Sequence, residues 1–227
     1  MNEPENTQII TTLAKDAIGK VFISTIPIGG TLINTVWDSV RSYSLEKRRR
    51  EWEASIEIRL KKLEKAVTVE EIACNDLFVT ALMATSAISF RTAELEKREY
   101  LANAVLHSIT HKIDETKLII FLNLIDKYTV WHIIILTFFQ NPLSSERAQR
   151  EYDRIGMMSS PAHLLQCVYQ DFKDNRELMD KIINDLIADG LLANSSIHAT
   201  MTSQGIVAKR TTALGDEFLQ FITEHED

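Results

Sequence analysis

Apolar residues recur every three or four positions along most of this chain, which is the spacing of amphipathic helices. Before residue 128 this pattern predicts a long helix at about residues 32–67 and several shorter helices. The capping sequence Thr68-Val69-Glu70-Glu71, Thr92 and Asp114 are suited to open the shorter ones. Four or five amphipathic helices predict a helical bundle over residues 1–127.

The second part of the chain begins with residues 129–140, which are almost wholly apolar and predict a buried helix ended by Asn141-Pro142. Ser160-Pro161 predicts another helix start, because serine caps well and proline fits the first turn. Asn175 is similarly suited to cap a third helix. The polar stretch between the first two helices, residues 144–154, is interpreted as an insertion.

The end of the chain predicts a helix, a glycine stop, a β-hairpin and a closing helix. Gly190 lies where a helix commonly ends on a left-handed residue. Residues 196–201 and 206–211 are short and rich in β-branched side chains, so we predict two strands joined by a turn at residues 202–205. Thr212 is expected to cap the closing helix.

The runs DLIADGLL and TTALGDEFLQFI resemble the end of prokaryotic winged-helix domains, as in the MarR and PadR families. The resemblance implies a winged-helix-like domain over residues 128–227 with one small β-hairpin, and it implies DNA binding as the usual activity. The predicted fold class is mostly α, with an N-terminal helical bundle followed by a C-terminal winged-helix module. The run RTAELEKREYLANAV loosely resembles uncharacterised bacterial helical proteins, and this resemblance implies no activity.

The distribution of charge disfavours DNA binding. The net charge is −7; residues 1–127 hold 17 basic and 18 acidic side chains, whereas residues 128–227 hold 8 and 14. The candidate nucleic-acid contacts are Lys181, Lys209 and Arg210. Lys181 lies among carboxylates on the helix that ends at Gly190, and the other two lie in the predicted hairpin. Affinity for DNA comes largely from neutralising phosphates. We therefore favour protein binding by this module, with DNA as the alternative.

A run of four cations lies in the long predicted helix and is a candidate patch for nucleic acid or anionic lipid. Oppositely charged pairs four residues apart, such as Arg49–Glu53 and Glu57–Lys61, neutralise part of the charge on this helix. We therefore favour a solvated helix face. The candidate patch consists of Lys47, Arg48, Arg49 and Arg50.

Residues 21–37 carry no charge and form a candidate membrane hairpin. The stretch is shorter than the ~20 apolar residues that a spanning helix needs, and Pro27 and Gly29-Gly30 interrupt it. We expect a hairpin buried in the protein, with membrane insertion as the alternative. Its apolar residues are Val21, Phe22, Ile23, Ile26, Ile28, Leu32 and Ile33.

Residues with catalytic or metal-binding chemistry are few. His107 and His111 lie one helical turn apart, a spacing that can bind a metal, but no clear third ligand accompanies them. There is no phosphate-binding glycine loop and no nucleophile elbow. Cys74 and Cys167 lack metal-type spacing and are expected to be small buried side chains in a reducing compartment. We predict no catalytic, cofactor-binding or metal site.

The sequence therefore predicts a non-enzymatic protein-interaction or adaptor protein, bacterial and cytoplasmic, whose partner is another protein or a second copy of itself in a homo-oligomer. The acidic start MNEPENTQ lacks the pattern of a secretory signal, which favours the cytoplasm. The first alternative is a winged-helix transcription regulator. The second is a phage-defence-type effector whose N-terminal hydrophobic hairpin engages membrane.

Overall fold

The computed structural model describes residues 40–63, 69–110, 113–155 and 158–223. Within these ranges the chain forms eleven α-helices, a π-helical segment at Val40–Leu45, a 3-10 segment at Gln170–Phe172 and no β-strand. The α-helices are α1 Glu46–Leu63, α2 Val69–Ala73, α3 Asp76–Arg91, α4 Leu95–Thr110, α5 Glu115–Lys127, α6 Val130–Gln140, α7 Glu146–Ile155, α8 Pro161–Val168, α9 Arg176–Ala188, α10 Ser203–Ile206 and α11 Ala213–Ile222. The candidate membrane hairpin at residues 21–37 lies outside the described ranges.

The chain divides into two compact units, Met1–Arg48 and Arg49–Asp227. The described part of the first unit is residues 40–48, which are π-helical and then α-helical. The second unit contains the described hydrophobic core, from Trp52 to Ile222. The domain boundary predicted between residues 127 and 128 falls inside this second unit.

The core of the second unit is built from helices packed on helices, so the mostly helical, bundle-like prediction is confirmed. Helices α3, α4 and α5 pack against one another, and α11 packs on both α4 and α6. Helix α6 also packs on α9, and its Ile135, Leu136 and Phe139 have no exposed surface. The prediction of a buried helix at residues 129–140 is therefore confirmed.

Two buried polar side chains of α4 tie this helix to the end of α11. Asn103 donates from Nδ2 to the carbonyl oxygen of Ile222 at 3.0 Å, and His107 Nδ1 lies 2.7 Å from that of Phe221. The last carbonyl groups of a helix have no partner within the helix. These contacts therefore give the last carbonyl groups of α11 partners on α4, a helix that the sequence analysis assigned to the other domain.

Three of the predicted side-chain caps form, whereas Asn175 precedes α9 without a side-chain cap bond. The side chains of Asp114, Ser160 and Thr212 each accept from the backbone N–H three residues later, at 2.9, 3.1 and 3.0 Å. Gly190 has a φ of 76° just after α9, as a C-terminal helix stop requires. A predicted helix continuing past Glu71 is instead broken after α2, because Asn75 caps α3.

Residues 144–154 were interpreted as an insertion, but most of them form helix α7. Ser145 Oγ accepts from the backbone N–H of Ala148 at 3.1 Å and starts the helix. Ala148 is the only buried residue of α7. The helix therefore lacks the wide apolar stripe by which the other helices were recognised.

The predicted β-hairpin is absent from the described residues, and the predicted turn is helical. The side chain of Thr202 caps α10. Met201 forms a single bridge with Ser159, and Thr211 a single bridge with Leu192. Each predicted strand thus pairs with a different segment instead of with the other. The prediction of a winged-helix module with a β-hairpin is wrong for the described part of the chain.

Arg210 helps to hold this non-strand conformation. Its guanidinium donates to the carbonyl oxygens of Gly205 and Ala208 at 2.5 Å each and lies over the Phe139 ring, 5.9 Å from its centroid. Its backbone N–H donates to the Phe139 carbonyl oxygen at 2.8 Å, and its own carbonyl accepts from Ala193 at 2.8 Å. The main-chain groups that a hairpin would use are therefore engaged by α6 and by the segment after α9.

Within the described ranges, no single helix is long and apolar enough to cross a membrane. Helices α5 and α6 reach that length and composition only together, and their axes meet at 116°.

Candidate protein-docking face

Helix α3 carries no charged residue between Asp76 and Arg91 at its two ends. Its inner side is buried, but its outer side exposes Val79 and Met83, which are 43% and 70% exposed. A helix that is apolar on every side is ordinarily buried on every side. The outer side of α3 departs from this rule.

Helix α5 continues the same surface. Ile119 and Ile120 are 43% and 44% exposed on its outer side. Lys117, the only cation between the ends of the helix, is paired at 2.6 Å with Glu217 of α11. The charge of Lys117 is therefore balanced by Glu217.

The ion pair between Arg91 and Asp126 fixes the register of the two helices. The Arg91 guanidinium nitrogen Nη2 lies 2.9 and 3.0 Å from the two carboxylate oxygens of Asp126. Both residues lie at the C-terminal ends of their helices, and the two helices pack against each other, so α3 and α5 run in the same direction. Met83 precedes Arg91 by about 12 Å, and Ile119 precedes Asp126 by about 10.5 Å, at 1.5 Å per residue. Met83 and Ile119 therefore lie at the same height.

We call this surface the uncharged face. Its exposed side chains are Val79, Thr80, Met83 and Ala87 of α3 and Thr116, Ile119, Ile120 and Asn123 of α5. Exposed Asp76 and Glu115 lie at its N-terminal end, and the Arg91–Asp126 pair lies at its C-terminal end. The face is therefore uncharged in the middle and charged only at its two ends.

A group of polar side chains joins the end of α5 to α6 and α9. The Tyr128 hydroxyl donates to Asp189 Oδ2 at 2.6 Å, and Lys127 pairs with the same carboxylate at 2.5 Å. Burial and the hydrogen bond to Asp189 raise the pKa of Tyr128 far above its ordinary value. The Tyr128 ring stacks on His132, with 4.6 Å between the ring centroids.

His132 is held in its neutral form. The backbone N–H of Thr129 donates to His132 Nδ1 at 3.2 Å, so Nε2 carries the proton. Nε2 lies 3.6 Å from Asp185 Oδ2, which is too long for a hydrogen bond. Burial lowers the pKa of His132 and outweighs the opposing charge of Asp185, while Lys127 and Lys181 lower it further.

His132 is expected to make the fold less stable in mild acid. Its folded pKa lies below the unfolded value of about 6.5. Its contribution to stability is therefore complete above that value and is lost as the pH falls through the folded pKa. Between about pH 7.5 and about pH 5.5, the free energy of unfolding in urea should fall more for the wild type than for His132→Gln. Glutamine does not titrate and suits the same capping position. Equal losses in the two proteins would exclude His132 as the titrating group.

A small cavity lies beside Tyr128 and Lys97. Its volume is about 10 Å³, close to the minimum that holds one water molecule. Lys97 Nζ donates to the Tyr128 carbonyl oxygen at 2.7 Å, and burial lowers the pKa of this lysine. The cavity is too small for an organic substrate, so the polar group around Tyr128 is a packing arrangement.

The structure also aligns Ser159, His163 and Cys167, which the sequence analysis did not bring together. Ser159 Oγ lies 2.8 Å from His163 Nδ1, and Cys167 Sγ lies 3.6 Å from His163 Nε2. A nucleophilic cysteine needs to be a thiolate, whereas burial and the charge of Glu151 raise the pKa of Cys167. This row of three side chains is therefore poorly suited to nucleophilic catalysis. Cys74 is exposed and Cys167 partly so, and the prediction that both are buried is wrong.

The three cations predicted to contact DNA are engaged within the chain. Lys181 pairs with Asp185 at 2.6 Å, and Lys209 pairs with Asp216 at 2.5 Å. Arg210 is only 7% exposed and is bound to the backbone carbonyl groups described above. DNA binding through these residues was the disfavoured alternative and remains untested, and it requires the existing bonds to open.

The basic run Lys47 to Arg50 lies at the start of α1. Lys47, Arg49 and Arg50 are exposed and Arg48 is half-buried. The predicted pairs Arg49–Glu53 and Glu57–Lys61 form at 2.8 and 2.6 Å. Binding of nucleic acid or lipid by this run remains the untested alternative to a solvated helix face. His111 lies outside the described residues, and among those described no three His, Cys, Asp or Glu side chains are grouped to hold a metal ion.

None of the protein-family models, curated proteins or solved structures compared with the chain matches it. The resemblance to the MarR and PadR families is therefore without family support, and the absence of strands from the described residues contradicts it. The two runs that carried the resemblance form α9 with its Gly190 stop and the capped helix α11. A capped helix and a glycine stop occur in many helical folds, which is why the pattern misled.

The uncharged face is the candidate functional feature that the sequence analysis missed. Its signal is the run LFVTALMATSAISF in α3, which has no charge on any side of the helix. Such a helix has to be enclosed by its own chain or left with an apolar surface for a partner.

Proposed function

We propose that this chain is a non-enzymatic protein-interaction protein whose uncharged face binds another protein. The observation that carries the proposal is the exposure of Met83 and Ile119 at one height on two adjoining helices. Exposed apolar residues scattered singly are ordinary on protein surfaces, whereas grouped ones mark interaction sites.

The chemistry of the face supports a protein partner. Burying apolar side chains stabilises a complex by about 25 cal/mol per Å² of apolar surface. Met83 is unbranched and polarisable, so it adapts to the shape of a partner. Thr80, Thr116 and Asn123 supply hydrogen-bonding groups among the apolar side chains. An uncharged surface offers nothing to neutralise phosphates, which disfavours nucleic acid.

The proposed setting is the cytoplasm, and the proposed role is that of an adaptor. The chain would act by holding a partner against the outer sides of α3 and α5, without a chemical step. This role places the binding free energy on a few central residues, as protein interfaces commonly do.

Met83→Glu is expected to weaken partner binding by about 2 kcal/mol or more, which is about thirtyfold in Kd. The reason is that the complex would bury a carboxylate at the centre of an apolar contact. The measurement is capture of proteins from a lysate of the native host on the tagged full chain, quantified by mass spectrometry. A differently tagged second copy of the chain is included in the lysate.

Ile58→Glu is the matched control for this experiment. Ile58 is 60% exposed and lies on α1, outside the uncharged face. Circular dichroism should show that both variants keep the helical content of the wild type. Proteins retained by the wild type and Ile58→Glu but lost from Met83→Glu support the proposal. Retention of every bound protein by Met83→Glu would overturn it.

A further inference from the structure

We infer that the occupant of the uncharged face is a second copy of this chain, docked antiparallel about a two-fold axis. The inference rests on the proposed function and names the partner for it. In this arrangement α3 of one copy lies across α3 of the other, and α5 lies across α5. The axis crosses both helices at the height of Met83 and Ile119.

The position of the apolar side chains on the two helices favours such an axis. Met83 lies midway between Asp76 and Arg91, and Ile120 lies midway between Glu115 and Asp126. Measured from the Arg91–Asp126 pair, the two midpoints lie within about 3 Å of the same height at 1.5 Å per residue. A single axis perpendicular to both helices therefore passes through the apolar centre of each. A two-fold interface requires this kind of self-complementary surface.

The charges at the ends of the face select the antiparallel orientation. Asp76 at the N-terminal end of one α3 would meet Arg91 at the C-terminal end of the other. The Arg91 side chain is 66% exposed beside Asp126, so it is open to a second carboxylate. The antiparallel arrangement also places Glu115 opposite Asp126 of the other α5, whose charge Arg91 balances. A parallel arrangement would instead place Asp76 opposite Asp76 and Glu115 opposite Glu115. Like charges brought together at an interface oppose binding.

The first test is the oligomeric state of the full chain by sedimentation equilibrium. We expect a concentration-dependent dimer for the wild type and for Ile58→Glu. Met83→Glu should raise the dimer dissociation constant at least about thirtyfold, because both copies carry the substitution. A wild type that stays monomeric at a protein concentration of about 100 μM would overturn the inference.

Disulfide formation between copies tests the orientation. Cys74 and Cys167 are replaced by serine so that single cysteines report unambiguously; neither forms a disulfide. Met83→Cys should cross-link to itself on mild oxidation, because the two Cα atoms meet near the axis. Val79→Cys should not, because its two copies lie about 12 Å apart along the helix, beyond the reach of a disulfide. Val79→Cys mixed with Ala87→Cys should cross-link.

The outcomes separate this inference from the proposed function. A monomeric wild type that still captures a different protein through Met83 keeps the proposed function and rejects the second copy. A dimer that Met83→Glu leaves intact, or one in which Val79→Cys cross-links to itself, rejects the antiparallel arrangement. A monomer that captures nothing in a Met83-dependent manner rejects both.

Discussion

Gly215→Ala is expected to lower the free energy of unfolding by about 3 kcal/mol. A Cβ atom added at Gly215 would lie 2.3 Å from the Leu191 carbonyl oxygen. That oxygen accepts the backbone N–H of Thr212 at 3.0 Å, so moving α11 away would break the bond that starts it. The same substitution at an unobstructed helix position stabilises by about 1 kcal/mol. The packing of α11 on Leu191 therefore reverses the expected sign.

Gly205→Ala is the matched control, measured in the same urea titrations. An added Cβ there lies 3.0 Å from the Cβ atom of Met201, a tight contact that a shift of a few tenths of an ångström relieves. We expect a change of less than about 1 kcal/mol at this position. Equal stability of Gly215→Ala and the wild type would show that α11 does not press against Leu191.

Leu186→Asp is expected to lower the free energy of unfolding by more than about 4 kcal/mol. Leu186 has no exposed surface, and its carbonyl oxygen accepts from Leu191 and Leu192 at the end of α9. An aspartate there would be buried without a partner. Leu178→Asp is the control on the same helix, because Leu178 is 43% exposed. It should remain within about 1 kcal/mol of the wild type.

Limited proteolysis of Leu186→Asp tests the domain boundary predicted between residues 127 and 128. Asn103 and His107 of α4 bond to the end of α11 inside one compact unit. Loss of the C-terminal helices would leave both side chains without these partners, so we expect the mutant to be digested throughout residues 49–227. A resistant fragment ending near Asn141-Pro142 would instead support two independent modules.

In the uncharged face, apolar positions of one helix have two different environments. The inner positions of the run without charges in α3, such as Phe78 and Ala81, are buried. The outer positions of the same run have the same composition and yet remain exposed. Composition states that a residue is apolar, but the neighbours that cover it come from distant parts of the chain. Only the positions of α4 and α5 around α3 show which side is left open.

The sequence by itself determined most helix starts, the helix stop at Gly190 and the burial of α6. A cap bonds a side chain to an amide three residues away, so Asp114, Ser160 and Thr212 carry the information locally. The apolar composition of residues 129–140 leaves that helix no polar side for water. The carboxylates around Lys181 on the outer side of α9 also follow from helical spacing, and Glu177 among them is exposed.

Tertiary structure decided the fate of residues 196–211. A strand is stabilised only by a partner strand, and local sequence does not specify which segment the partner will be. Met201 pairs with Ser159, and Thr211 pairs with Leu192. Between them, the buried guanidinium of Arg210 donates to the carbonyl oxygen of Gly205. A pattern rich in β-branched residues therefore became a capped helix between two isolated bridges, because distant groups competed successfully for its main-chain hydrogen bonds.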